Sequence, residues 1–150
     1  MRDMKLRNLT KFTIKTPVKE VFEAFVDPSK IGNFWFSSSS ERWEQGKIIT
    51  VEYKEYNAQL EIDVLEIETN KKIVFQWGAN GEGHVVTITF KELEPSNTII
   101  EIVEDGFHEN DADFVNQILD NKEGWVFMLS CLKVYLEFGV TALRGGLVKE

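Results

Sequence analysis

Cysteine is nearly absent from this chain: Cys131 is the single one in 150 residues. An internal disulfide is therefore excluded, and a reducing cytoplasmic setting is predicted. No apolar run approaches the ~20 residues that cross a bilayer, so no membrane span is expected. The first residues, Met1-Arg2-Asp3-Met4-Lys5, carry charge without a following apolar core, which predicts no signal peptide. Basic excess is missing as well. The net charge is −8, which argues against nucleic acid as a partner, because phosphate contacts need clustered Lys and Arg.

Motifs for common chemistries are also missing. In His108-Glu109-Asn110-Asp111-Ala112-Asp113, Ala112 stands where a zinc-protease helix needs its second histidine. A calcium loop would need a glycine at its sixth position, and none is there. Gly78-Ala79-Asn80-Gly81-Glu82-Gly83 joins two expected strands rather than opening a helix, so it reads as a hairpin tip and not a phosphate loop. The serines at 37–40 lack a His/Asp partner pattern and are read as a polar loop without a packing role. No metal site and no cofactor are expected.

What is present is ordinary globular material, 43% hydrophobic and 28% charged, of a length that fits one domain. Charge is unevenly placed: residues 92–123 hold ten acidic side chains against Lys122 alone, while the first nineteen residues carry six Lys/Arg against Asp3. Solvated surface is the simplest reading, with electrostatic docking of a partner as the alternative.

Phe12 and Ile14 alternate with polar residues in a first strand at 9–15, and Thr16-Pro17 then opens a helix through Phe25 as N-cap and first-turn proline. Asp27-Pro28 ends it, and Pro28 starts a second short helix towards Trp35. From Ile48 the period becomes two, giving strands at 48–54, 58–67, 72–77, 84–92 and 98–105, with turns at Asn57, Asn70, Asn80-Gly81 and Pro95-Ser96-Asn97. Parity assigns the inward set: Val51 and Tyr53; Leu60, Ile62 and Val64; Ile73, Phe75 and Trp77; Val86, Ile88 and Phe90; Ile100 and Ile102. An acidic loop (105–123) precedes a long helix from about Gly124 to Phe138. Trp125, Leu129, Leu132 and Leu136 share one stripe, and Phe127, Cys131, Val134 and Phe138 a second. Two apolar stripes exceed what a one-sided helix needs, so the second is assigned to an enclosing sheet, a ligand or another subunit. A homodimer is the expectation.

Two ionisable groups stand out by parity. Glu104 shares a face with Ile100 and Ile102, and His84 with Val86 and Ile88, so both are the weak candidates for proton chemistry. Cys131 reads as a small buried hydrophobe rather than a nucleophile.

The run Phe12-Thr13-Ile14-Lys15-Thr16-Pro17, then Val21-Phe22, Ala24-Phe25 and Asp27-Pro28, resembles the start of the heat-shock protein 90 ATPase activator-like proteins. Trp35, Val74-Phe75-Gln76-Trp77, Val86-Thr87-Ile88-Thr89-Phe90, Gly106-Phe107 and Gly124-Trp125 through Leu129, Leu132 and Tyr135-Leu136-Glu137 continue the match in order. The likeness spans about residues 8–138 and departs at Gln45-Gly46, where the family often has paired glycines. It implies an α+β, helix-grip (START-like, SRPBCC superfamily) fold: a curved antiparallel sheet around a long C-terminal helix, with two short helices after the first strand. It also implies a bacterial ligand carrier without an assigned reaction, while leaving a chaperone partner open. Trp35, Phe36, Trp43, Tyr53, Phe75, Trp77, Phe107 and Trp125 are more aromatics than a meander and one helix require, and together with the resemblance this leads to a small hydrophobic ligand, aromatic or lipid-like, touching Trp35, Tyr53, Trp77, Phe107, Trp125 and Leu129. A cyclase/hydrolase-type enzyme using Glu104 or His84, and a protein-interaction module, are the alternatives.

Overall fold

The computed structural model describes residues 6–77 and 83–148. Within them the order is β1 (Arg7–Ile14), α1 (Val18–Val26), α2 (Pro28–Ile31), β2 (Ser38–Ser39), β3 (Ile48–Tyr53), β4 (Ala58–Glu68), β5 (Lys72–Trp77), β6 (His84–Glu94), β7 (Asn97–Asp105) and α3 (Phe114–Phe138). Short 3-10 turns lie at Lys54–Tyr56 and Leu143–Gly145. The strands form one antiparallel sheet in the order β1-β7-β6-β5-β4-β3-β2. The α+β helix-grip architecture expected above is what the chain adopts, with α3 packed along the sheet and the short helices after β1.

Period-two patterning explains the meander. Val51, Ile62, Val64, Ile73, Phe75, Val86, Ile88, Phe90, Ile100 and Ile102 are all buried on one face, with Tyr53, Leu60 and Trp77 partly buried against them. A register shift between Val64 and Glu66 lets Ile67 rejoin that face beyond it. Asn57 and Asn70 sit at φ 50 and 63, the left-handed turn conformation that asparagine tolerates. The Asn80-Gly81 turn lies outside the described residues.

β1 is a sheet edge, and α3 covers its exposed carbonyls with lysines. Lys122 donates to Leu9 O at 2.6 Å and Lys133 to Thr13 O at 2.7 Å, while Lys15 N–H donates to Glu137 at 2.8 Å. An edge occupied in this way is closed to pairing with another chain.

Four expectations are corrected. The long helix starts at Phe114 and not near Gly124, so half of the expected acidic loop is helical. Its end at Phe138 agrees, closed by Gly139 in the left-handed conformation, whose N–H reaches Tyr135 O. The serine segment is no idle loop: Ser38–Ser39 pairs with β3, and Ser37 Oγ accepts from Lys54 N–H at 2.8 Å. Pro17 occupies the N-cap position of α1 rather than its first turn. The second stripe of α3 is mostly consumed within the chain. Cys131 is buried and Phe127 and Val134 partly so, which leaves Phe138, at 71% exposure, as its open member.

Candidate functional site

Strand register builds the site before any side chain is considered. β1 aligns Asn8 with Glu104, β6 aligns Val86 with Glu104, and β5 aligns Trp77 with His84. Asn8, Glu104, Trp77 and His84 therefore crowd one end of the concave face. There α3 adds Asn121 and Trp125.

Glu104 is the hub. Its side chain is 1% exposed, and both oxygens are occupied. Oε1 accepts from Asn121 Nδ2 at 2.8 Å and from Trp125 Nε1 at 2.9 Å. Oε2 accepts from Trp77 Nε1 at 3.3 Å and lies 2.6 Å from His84 Nδ1. Asn121 Oδ1 in turn accepts from Asn8 Nδ2 at 2.8 Å, which fixes the amide orientation. A buried carboxylate is tolerable only with such partners, and here three N–H donors and the His84 ring converge on it.

His84 sits between this hub and open space. Its ring packs on Phe107 with centroids 4.4 Å apart, and a Cβ at Gly106 would stand 2.7 Å from its Cδ2. Gly106 also has φ +121, where L side chains are strained. Gly106→Ala is expected to cost about 1–3 kcal/mol and to displace the imidazole. A lower denaturation midpoint together with shifted His84 ring resonances is the expected result; an unchanged midpoint would show that the ring has room to move.

Beyond His84 opens a cavity of about 790 Å³, within the size range of small-ligand pockets. Phe34, Trp35, Tyr53, Tyr56, Phe107, Phe127 and Met128 supply its apolar wall. From α3 it is faced by Gln117, Asp120, Asn121, Gly124, Phe127 and Met128, a single helical stripe at spacings of three and four. Gly124 has nothing within 4 Å of where a Cβ would be, so it leaves volume open. The C-terminal segment supplies a further wall. Arg144 donates to Trp35 O at 2.7 Å through one terminal nitrogen and pairs with Glu55, and Leu147 O accepts from the Tyr56 hydroxyl at 3.3 Å.

Of the residues expected to touch a ligand, Trp35, Tyr53 and Phe107 line the cavity, as does His84. Trp77, Trp125 and Leu129 are not among the lining residues. The first two stack on each other at 5.4 Å behind Trp35, with their N–H groups committed to Glu104, and Leu129 is fully buried core. Burial pushes the Tyr53 phenol well above its usual range, keeping it a neutral hydrogen-bonding group. Burial pushes the Cys131 thiol up to about 11, so it is no thiolate nucleophile. Arg144, Asn121 and Gln117 escaped sequence reasoning. Arg144 has no local pattern to flag it, and the other two lie on the helical stretch read as loop.

The family described as Activator of Hsp90 ATPase homolog 1-like protein matches residues 15–137. No curated protein matches the chain. Among solved structures, SSP2350 from Staphylococcus saprophyticus is 54% identical, with 91% of this chain and 95% of that one covered and a TM-score of 0.78. The Aha1 dimer from Colwellia psychrerythraea is 18% identical, covering 89% and 98% of the two chains at a TM-score of 0.77. CalU16 from Micromonospora echinospora is 17% identical, covering 92% and 78% at a TM-score of 0.70. At that identity the last two report a shared fold alone. Among the described residues, no helix is long and apolar enough to cross a membrane.

Proposed function

This chain belongs to the Activator of Hsp90 ATPase homolog 1-like family, and from that premise we propose that it binds a small, largely apolar molecule between the sheet and α3. The carrying observation is the cavity of about 790 Å³, walled by aromatic side chains with a few polar groups at one end. Burial of flat apolar surface would provide most of the affinity, with Trp35, Tyr53 and Phe107 in contact and Trp77, Trp125 and Leu129 supporting them from behind.

Gly124 offers a test that separates binding from folding. A leucine there would project into the cavity, and it would also remove a helix-interior glycine, which costs about 0.8–1.0 kcal/mol relative to alanine. Gly124→Leu is therefore expected to keep or raise the denaturation midpoint while abolishing saturable tryptophan quenching by aromatic or fatty-acid ligands. If no member of a broad panel quenches the wild-type protein saturably or moves its amide resonances, the binding proposal fails.

A proton-transfer enzyme is the second reading, favoured by the His84–Glu104 contact of 2.6 Å at the cavity wall. It predicts turnover that is lost on substitution of His84, where a carrier would change only in affinity. A homodimer is the proposed assembly on two grounds: Phe138, Val140 and Val148 leave an exposed apolar end, and the Colwellia relative is a dimer.

A further inference from the structure

We infer that Glu104 locks His84 in the tautomer whose Nε2 lone pair faces the cavity, so that the site selects uncharged ligands presenting an O–H or N–H donor and discriminates against carboxylates. This deepens the binding proposal and rests on it.

The tautomer follows from counting donors. Two indole N–H groups and one amide N–H can only donate, and together they occupy both oxygens of Glu104. His84 Nδ1 stands 2.6 Å from Oε2, as short as a charge-assisted hydrogen bond to an ionised carboxylate. The proton of that contact belongs on Nδ1. In a neutral imidazole the other nitrogen then carries the lone pair. Nε2 is on the ring edge turned away from Glu104, and His84 is a cavity-lining residue while Glu104 is not. Among the described residues, Nε2 makes no hydrogen bond.

The one arginine of the lining points the same way. Among the described residues, Arg144 is the one arginine or lysine of the cavity wall. Arg144 is already committed to Glu55 and the Trp35 carbonyl. A carboxylate ligand would thus meet no uncommitted guanidinium, whereas a neutral donor would meet a waiting acceptor.

Three probes with one apolar body decide the matter: 2-naphthol, 2-methoxynaphthalene and 2-naphthoate, titrated by calorimetry into the wild-type protein. The naphthol is expected to bind about tenfold tighter than its methyl ether, the worth of one net hydrogen bond, and the naphthoate weakest of the three. Nitrogen-15 spectra of the imidazoles should show His84 protonated at Nδ1 and bare at Nε2 in the free protein. The Nε2 signal should move with naphthol and stay still with the ether. Glu104 is a positioning residue in this scheme, so Glu104→Gln should mix the His84 tautomers and erase the naphthol advantage. Equal affinities for naphthol and ether, a protonated Nε2 in the free wild-type protein, or tightest binding by naphthoate would each overturn the inference while the cavity reading survives. Binding of none of the three would overturn this inference, and the cavity reading with it only if the broad panel also fails to bind.

Discussion

Glu104→Leu is expected to destabilise the protein by about 3–5 kcal/mol, the usual consequence of removing one partner from a buried charged cluster. The loss is not that of one contact. Trp77, Trp125 and Asn121 direct N–H groups at this carboxylate and the His84 ring contacts it, and leucine would leave those donors without an acceptor in a site that is 1% exposed. Glu104→Gln keeps the volume but turns an amide N–H₂ towards donors, so a smaller loss of about 1–3 kcal/mol is expected. Denaturant midpoints of the two variants check this order. A midpoint unchanged in Glu104→Leu would mean that the carboxylate does not organise the cluster, and the reading of the site built on it would fall.

Trp43→Ala should cost a comparable amount, about 3–5 kcal/mol, through cavity formation in a close-packed core. Trp43 is 1% exposed and packs against Phe75 and Trp35 at centroid distances of 5.3 and 5.8 Å. Its backbone N–H also holds Val26 O at 3.1 Å, tying the loop before β3 to the end of α1. Because Trp43 supports Trp35, which lines the cavity, ligand affinity should fall along with stability. Urea titration followed by binding at a permissive temperature separates the two effects. A stable variant with unchanged affinity would show that the aromatic cluster relaxes around the gap.

Much of the fold was legible because it repeats locally. Val86, Ile88 and Phe90, or Ile100 and Ile102, alternate with polar neighbours and could face one way only; slipping by one residue would expose all of them. Asn57 and Asn70 marked turns because few other residues accept a positive φ. The stripe of Trp125, Leu129 and Leu132 on α3 was readable for a similar reason.

The first ten residues of α3 were unreadable because that signal is inverted there. The face they turn inward carries Gln117, Asp120 and Asn121, followed by Gly124, since it borders a cavity rather than a packed core. Val115 and Leu119, one helical turn apart, are exposed instead, so apolar spacing there points away from the sheet and the inward stripe is legible only where the cavity stops. The candidate site was half legible for a related reason. Parity turned His84 and Glu104 inward, but nothing local said that they meet each other.

Alternation and turn chemistry, then, are enough to specify the meander, its inward face and the phase of the helix that closes it, since each depends on neighbours within a few residues. The hub at Glu104, the Nε2 edge of His84 and the wall supplied by Arg144 depend on groups up to 113 positions apart in the chain. Donors so distant meet only when the register of β1, β5, β6 and β7 and the docking of α3 place them together. Their hydrogen bonds are worth little to an unfolded chain already bonded to water, and become decisive once burial removes that alternative.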